Sequence, residues 1–150
     1  MAETSSDSWP PTGARLLTEA ARFIGTPYKL GGRTPAEGWD CWRCVKFLRG
    51  HLFGRQSPCA GDAVPEECFC RPAGIAAHME AQVKASLAMW RPVAPKAGAA
   101  VLLTVFGRAA HVGLLLDDHQ FIHAQLGCET VVSSLREPMW KDRVRGVYDA

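Results

Sequence analysis

A chain of 150 residues with 47% hydrophobic and 21% charged side chains has the make-up of one ordinary globular domain, long enough to bury a core. Seventeen basic against fifteen acidic side chains leave a formal charge of only +2, too small a surplus to make a nucleic-acid backbone the expected partner. No apolar run is long enough to cross a bilayer as a helix, so membrane insertion is not expected.

Residues 1–11, polar and closing on Pro10-Pro11, are expected to be a disordered lead ahead of a domain over 12–150. They carry neither the basic start nor the apolar stretch of a secretory signal, so export by a signal of the chain's own is not expected. Thr12 can cap a helix running to Ile24, whose apolar positions Leu16, Ala20, Phe23 and Ile24 follow the helical period beside Leu17 and Ala21. Gly25-Thr26-Pro27-Tyr28 ends it, because Pro27 disfavours helical geometry at Thr26, and a loop with Gly31, Gly32, Pro35 and Gly38 follows.

Asp40 is a good N-cap for a second helix reaching Phe53, on which Cys41, Val45, Leu48 and Leu52 form one inward stripe. Gly54 to Pro72 holds three prolines and three cysteines without periodicity and is expected to be a long connection. A third helix is expected over Pro72 to Leu87, with Ile75, Met79 and Val83 on one side. From residue 99 the pattern changes to short apolar runs, predicting strands over 100–106, 111–116, 120–124, 129–133 and 143–148, with a short helix near 137–140. Helices first and strands second make an α+β domain, with an antiparallel sheet of about five strands packed on the helix that begins at Cys41.

Cys41 at a helix start is a candidate nucleophile, since the unsatisfied amides and positive dipole end there should stabilise a thiolate. His111 and His123 stand on consecutive expected strands joined by Asp117-Asp118-His119. Cysteine catalysis needs a base and a polar group that orients the base, and one hairpin can supply both. For the two rings to share a face, the three-residue loop must set Leu116 opposite Gln120 and Gly113 opposite His123, where glycine leaves room for an imidazole. His51 and His78 lie on expected helices and His119 in the turn; none of them needs a functional reading.

Gly25-Thr-Pro-Tyr-Lys-Leu-Gly-Gly-Arg-Thr-Pro35, Gly38-Trp-Asp-Cys41, His111-Val-Gly113 and Phe121-Ile-His-Ala124 together resemble the NlpC family of cell-wall cysteine peptidases. The resemblance implies a papain-like core and a peptidoglycan stem-peptide amide as substrate, cut through a thioester acyl-enzyme without a cofactor. It also implies Cys41 as nucleophile, His111 as base, His123 as its orienting partner, Tyr28 near the oxyanion and Asp40 beside the substrate. Trp42, Phe53-Gly54, Trp140 and Gly146-Val-Tyr148 look most like the subgroup encoded with bacteriophage tails. That subgroup implies tail-tip or baseplate proteins as partners and a place in the virion tail, after synthesis in the host cytoplasm. In the family a glycine often follows soon after the cysteine, whereas Trp42 is followed here by Arg43, a bulky cation near the thiol. Arg43 favours one alternative, a catalytically silent plug or adaptor of a tail tip. A second alternative is a cysteine-clustered metal module using Cys59, Cys68 and Cys70, with the Cys41-Trp-Arg-Cys44 spacing as a further pair.

Overall fold

The computed structural model describes residues 8–61 and 72–150. Helix α1 spans Gly13–Ala21, α2 Cys41–Phe53, α3 Pro72–Leu87 and α4 Pro138–Lys141. A two-stranded ribbon pairs β1 (Arg33–Thr34) with β2 (Gly38–Trp39). Strands β3 (Arg91–Pro92), β4 (Ala100–Val105), β5 (Arg108–Leu115), β6 (Gln120–Ala124), β7 (Thr130–Ser134) and β8 (Val144–Asp149) form one antiparallel sheet. Its order is β3-β8-β4-β5-β6-β7. The α+β class and helix-on-sheet packing are as the sequence predicts, but the sheet has six strands rather than about five. The extra strand, β3, is a two-residue edge containing Pro92, too short to show alternation.

Local chemistry accounts for where the helices start and stop. Asp40 caps α2 by accepting the Arg43 amide at 2.9 Å, and Gly54, at φ 65°, takes the left-handed geometry that closes the helix. Helix α1 is shorter than expected. It ends at Ala21, leaves Ile24 47% exposed, and the Thr12 hydroxyl makes no capping bond. Gly25 and Thr26 instead exchange backbone hydrogen bonds with Thr130 of β7, at 2.9 and 2.8 Å, which pulls the chain off the helical path.

The sheet buries both faces. On one, Ala100, Leu102, Val112, Leu114 and Ile122 pack against Val45, Leu48 and Leu52 of α2 and Met79 and Val83 of α3. On the other, Val101, Leu103, Leu115, Phe121 and Val147 pack around Trp140 of α4. Alternation puts His111, Gly113 and His123 on this second face, away from α2.

Beyond α2's C-terminal end lies a buried charge cluster that the sequence reading did not anticipate. Arg49 is fully buried, donates to the Gly98 carbonyl at 2.9 Å and pairs with the buried carboxylate of Asp149 at the end of β8. Arg55 and Lys96 also reach that carboxylate, at 3.1 and 3.0 Å. Burial alone would raise the pKa of Asp149, but the bonds to Lys96, Arg55 and Arg49 outweigh it and hold the pKa at about 2. Asp149→Ala would strand the Arg49 guanidinium in the interior, and we expect it to cost about 3–5 kcal/mol of folding stability, measured by urea unfolding near neutral pH. A loss within about 0.5 kcal/mol would show that the pair does not hold β8 to α2.

Candidate active site

The strand pairing places the histidines as the hairpin argument requires. Strands β5 and β6 pair Leu114 with Ile122 and Leu115 with Phe121, and the Leu116 amide donates to the Gln120 carbonyl at 2.8 Å. The same register sets Gly113 opposite His123. A Cβ on Gly113 would stand 2.6 Å from the Phe121 ring and 3.4 Å from the His123 Cβ, so the glycine makes room for both rings.

Past Gly113 the two strands part: β6 stays paired with β7 through His123–Val131 and Ala124–Thr130, while β5 stays paired with β4. Cys41 enters this split from the helical face. Its thiol donates to the Ala110 carbonyl at 3.8 Å, and the Val112 amide bonds to the sulfur. Those backbone groups point to the side where a continued ladder would have met β6. A thiol from one face of the sheet thus meets a histidine from the other.

Cys41, His111 and Tyr28 line one cleft of about 340 Å³, with Ile75, Met79, Phe106, Leu126 and Arg143 among its walls. Tyr28 is delivered by a short extended segment whose backbone pairs with Trp39, Lys29 N–H to Trp39 O at 2.9 Å and Trp39 N–H to Pro27 O at 3.1 Å. Behind His111, its Nε2 lies 2.7 Å from Nδ1 of His123, whose Nε2 lies 2.9 Å from the Ser133 hydroxyl. Trp140 stacks beneath His111 at 5.8 Å and meets His123 edge-on at 5.1 Å.

Only one tautomer makes His111 a base toward the cleft. Its Nε2 must carry the proton and donate to His123 Nδ1, leaving Nδ1 of His111 with its lone pair; His123 then donates from Nε2 to Ser133. Ser133 thus gives the far nitrogen of His123 a partner, and its hydroxyl can accept as this tautomer requires. Sequence reasoning missed it, although it is legible once the β6–β7 register is known. Phe121 pairs with Ser133 and His123 with Val131, so Ser133 is a same-face diagonal neighbour of His123.

Three expectations need correction. Asp40 does not border the substrate space: it is fully buried, with Oδ1 on the Arg43 amide at 2.9 Å and Oδ2 on the Gly31 amide at 2.8 Å and Arg43 Nη1 at 2.7 Å. Arg43 does not wall the cleft, because its guanidinium turns to Asp40 and, at 3.5 Å, to Gln82, and it is 3% exposed. Nor is the thiol acidified at rest. Burial, and then the Asp40 carboxylate, push Cys41 up to about 12, while the amides of Val112, Trp42 and Cys41 itself pull the other way without prevailing.

Burial likewise lowers His111 to about 4 and, with the neighbouring His111 charge, holds His123 well below its ordinary value. Tyr28 is raised by burial and then by Cys41 and Asp40. Burial thus favours the uncharged forms of Cys41, His111, His123 and Tyr28 alike. Of the metal candidates, Cys59 is half-buried beside Lys46 Nζ at 3.5 Å, while Cys68 and Cys70 lie outside the described residues.

The profile of the NlpC/P60 family matches residues 25–149. The chain is 28% identical over 130 residues to the murein DD-endopeptidase MepS/murein LD-carboxypeptidase of Escherichia coli K12, covering 87% of this chain and 58% of that protein. It is 29% identical over 137 residues to the probable peptidoglycan endopeptidase LytE of Bacillus subtilis 168, covering 89% and 33%. This chain therefore spans well under two thirds of those relatives. The solved NlpC/p60 domain of the peptidoglycan hydrolase SagA superposes with a TM-score of 0.53 at 23% identity, over 90% of this chain and 96% of that one. A Staphylococcus aureus protein of the NLP/P60 family gives 0.58 at 18% identity, over 95% and 44%.

The buried histidines make folding pH-dependent with a definite sign. Unfolded, they take up protons as the pH falls below about 6.5; folded, His111 resists until about 4, so stability is full above 6.5 and lost across that window. His111 alone accounts for on the order of 3 kcal/mol of this loss, and His123 adds in the same direction. Urea unfolding from pH 7 to 4 should show this fall. A flat profile would mean that the rings are hydrated or already charged in the folded chain.

Proposed function

Because the chain belongs to the NlpC/P60 family, we propose that it is a cysteine peptidase hydrolysing a stem-peptide amide of peptidoglycan. The observation that carries this reading is the meeting of Cys41 and His111 in one cleft, with the far nitrogen of His111 held by His123. The homologues named as peptidoglycan endopeptidases support the substrate class.

Each step follows from the neutral resting site. As Sγ of Cys41 attacks the amide carbon, its proton passes to Nδ1 of His111, and the resulting imidazolium is held through Nε2–H to His123. The oxyanion forms at the start of α2. Asp40 takes the Arg43 amide, leaving the amides of Cys41 and Trp42, which face the sulfur, to receive it; Tyr28 on the same cleft can add its hydroxyl. When the C–N bond breaks, His111 returns the proton to the departing amine and a thioester remains. Water then attacks that thioester, giving its proton to His111, and the released thiolate recovers the proton as the acid product leaves.

The silent-plug alternative loses the feature that favoured it, since Arg43 is folded away onto Asp40. Placement in a phage tail tip, with tail-tip or baseplate proteins as partners, stands as a proposal on the sequence resemblance at Trp42, Phe53-Gly54, Trp140 and Gly146-Val-Tyr148. Mass analysis of purified particles from a producing strain tests it. Two of those residues also have an internal explanation, because Trp42 packs on Trp90 at 5.7 Å and Trp140 lies under His111.

Digestion of purified peptidoglycan, with mass analysis of the fragments, tests the hydrolase reading. Cys41→Ala and His111→Ala should each cut the rate by about a thousandfold or more while remaining folded; His123→Asn, whose amide oxygen can still accept from His111, should lose about ten- to a hundredfold. Wild-type protein that releases nothing from any plausible wall would sink the assignment. The acid limb of kcat/KM should lie well below the ordinary imidazole value of about 6.5 and approach about 4, because the free enzyme needs neutral His111. An acid limb at 6.5 or above would refute the desolvated base.

A further inference from the structure

The walls of the cleft are mostly apolar, from Ile75, Ala76 and Met79 on α3, Val105 and Phe106 at the β4–β5 turn, and Leu126 after β6. Against that background Arg143, an exposed residue immediately before β8, is the one side chain among the lining residues that is charged at neutral pH. No carboxylate among the described residues lies within ion-pair distance of its guanidinium. It is nevertheless held in place. Its amide donates to the Trp140 carbonyl at 2.9 Å, its carbonyl accepts the Thr104 amide at 2.9 Å, and its Cζ sits 5.7 Å from the centre of the Trp140 ring.

That indole is the same one that stacks on His111, at 5.8 Å and 21°. Trp140 is therefore a shared neighbour of the Arg143 guanidinium and the His111 ring. The sheet agrees, since Leu103 pairs with His111 on one side and with Val144 on the other, two strands apart. An aromatic face preorders a guanidinium without neutralising it, which leaves its planar fork available to an incoming carboxylate. Such a contact would be charge-assisted and could be bidentate, although Arg143 itself is exposed.

The chemistry fixes which part of the substrate this cation meets. His111 must hand its proton to the departing amine, so the amine portion lies along the His111 side of the cleft, the side of Trp140 and Arg143. We propose that Arg143 is a specificity-determining residue that takes a free carboxylate on the leaving-amine portion of the substrate. This deepens the hydrolase reading and rests on it for the side of the cleft. It makes the carboxylate of the departing fragment a group the cleft recognises.

Binding can be read apart from turnover by using the Cys41→Ala chain and calorimetry. The probes are a stem tetrapeptide prepared from peptidoglycan and the same peptide with every carboxyl converted to carboxamide. The free acid should bind at least about tenfold more tightly; the difference should collapse in Cys41→Ala/Arg143→Gln, return in part with Arg143→Lys, and shrink as salt is raised. Equal binding of the two probes, binding of neither, or a preference that survives Arg143→Gln overturns the assignment. Equal binding alongside normal wall digestion removes Arg143 alone. Carboxylate-dependent binding without digestion removes the hydrolase reading and leaves an anion site.

Discussion

Much of the site depends on the position of one buried carboxylate. Asp40 caps α2 through the Arg43 amide, ties down the loop through the Gly31 amide, and is neutralised by the Arg43 guanidinium. Buried charge is tolerable only when paired and fully hydrogen-bonded, so these three contacts act as one unit. They determine where the helix begins, hence where Cys41 stands, and they bring the Tyr28 segment against Trp39. Arg43, unusual after the nucleophile by the standard of the family resemblance, is the counter-ion that lets Asp40 be buried at all.

The same carboxylate has an electrostatic consequence. Its charge adds to burial in holding the Cys41 thiol protonated, and burial disfavours the charged form of His111. A thiolate–imidazolium pair needs the cysteine to be the stronger acid of the two, and here the order is reversed. For the proposed reaction this favours proton transfer in step with attack, with the amides at the head of α2 placed for the charge that appears in the transition state. A neutral thiol is also the less nucleophilic form, so burial and the Asp40 charge work against reaction with small electrophiles.

Much of this arrangement was legible in the residues. The stretch from Asp40 to Phe53 reads as a capped helix because an N-cap and a periodic apolar stripe agree. The β5–β6 register follows from a three-residue loop and the requirement that two rings share a face. What escaped is non-local or energetic. Arg49 and Asp149 stand 100 positions apart, and neither has a local pattern to announce the pair. Ser133 needs a second register before it points at His123. Helix-dipole reasoning captured the amides around the thiol but not the desolvation that outweighs them, because burial of Cys41 at 2% exposure is a property of the packed sheet split and not of the helix.

Helix α2 is clamped at both ends, by Asp40 and Arg43 at the first turn and by Arg49, Gly54 and Asp149 at the last, so the thiol belongs to the helical layer and cannot readily shift along it. The proposed base belongs to the other layer. His111 is positioned by its hairpin, by the absence of a side chain at Gly113, and by Trp140 stacked beneath it. The two halves are registered only where β5 leaves β6, and there the nucleophile takes up the backbone groups that a continuous sheet would have used. Opening that ladder would leave Ala110 and Val112 with unpaired backbone groups, a cost of the kind that closes most sheets. Cys41 offsets it by supplying the partner, which couples the integrity of the sheet edge to the presence of the reactive atom.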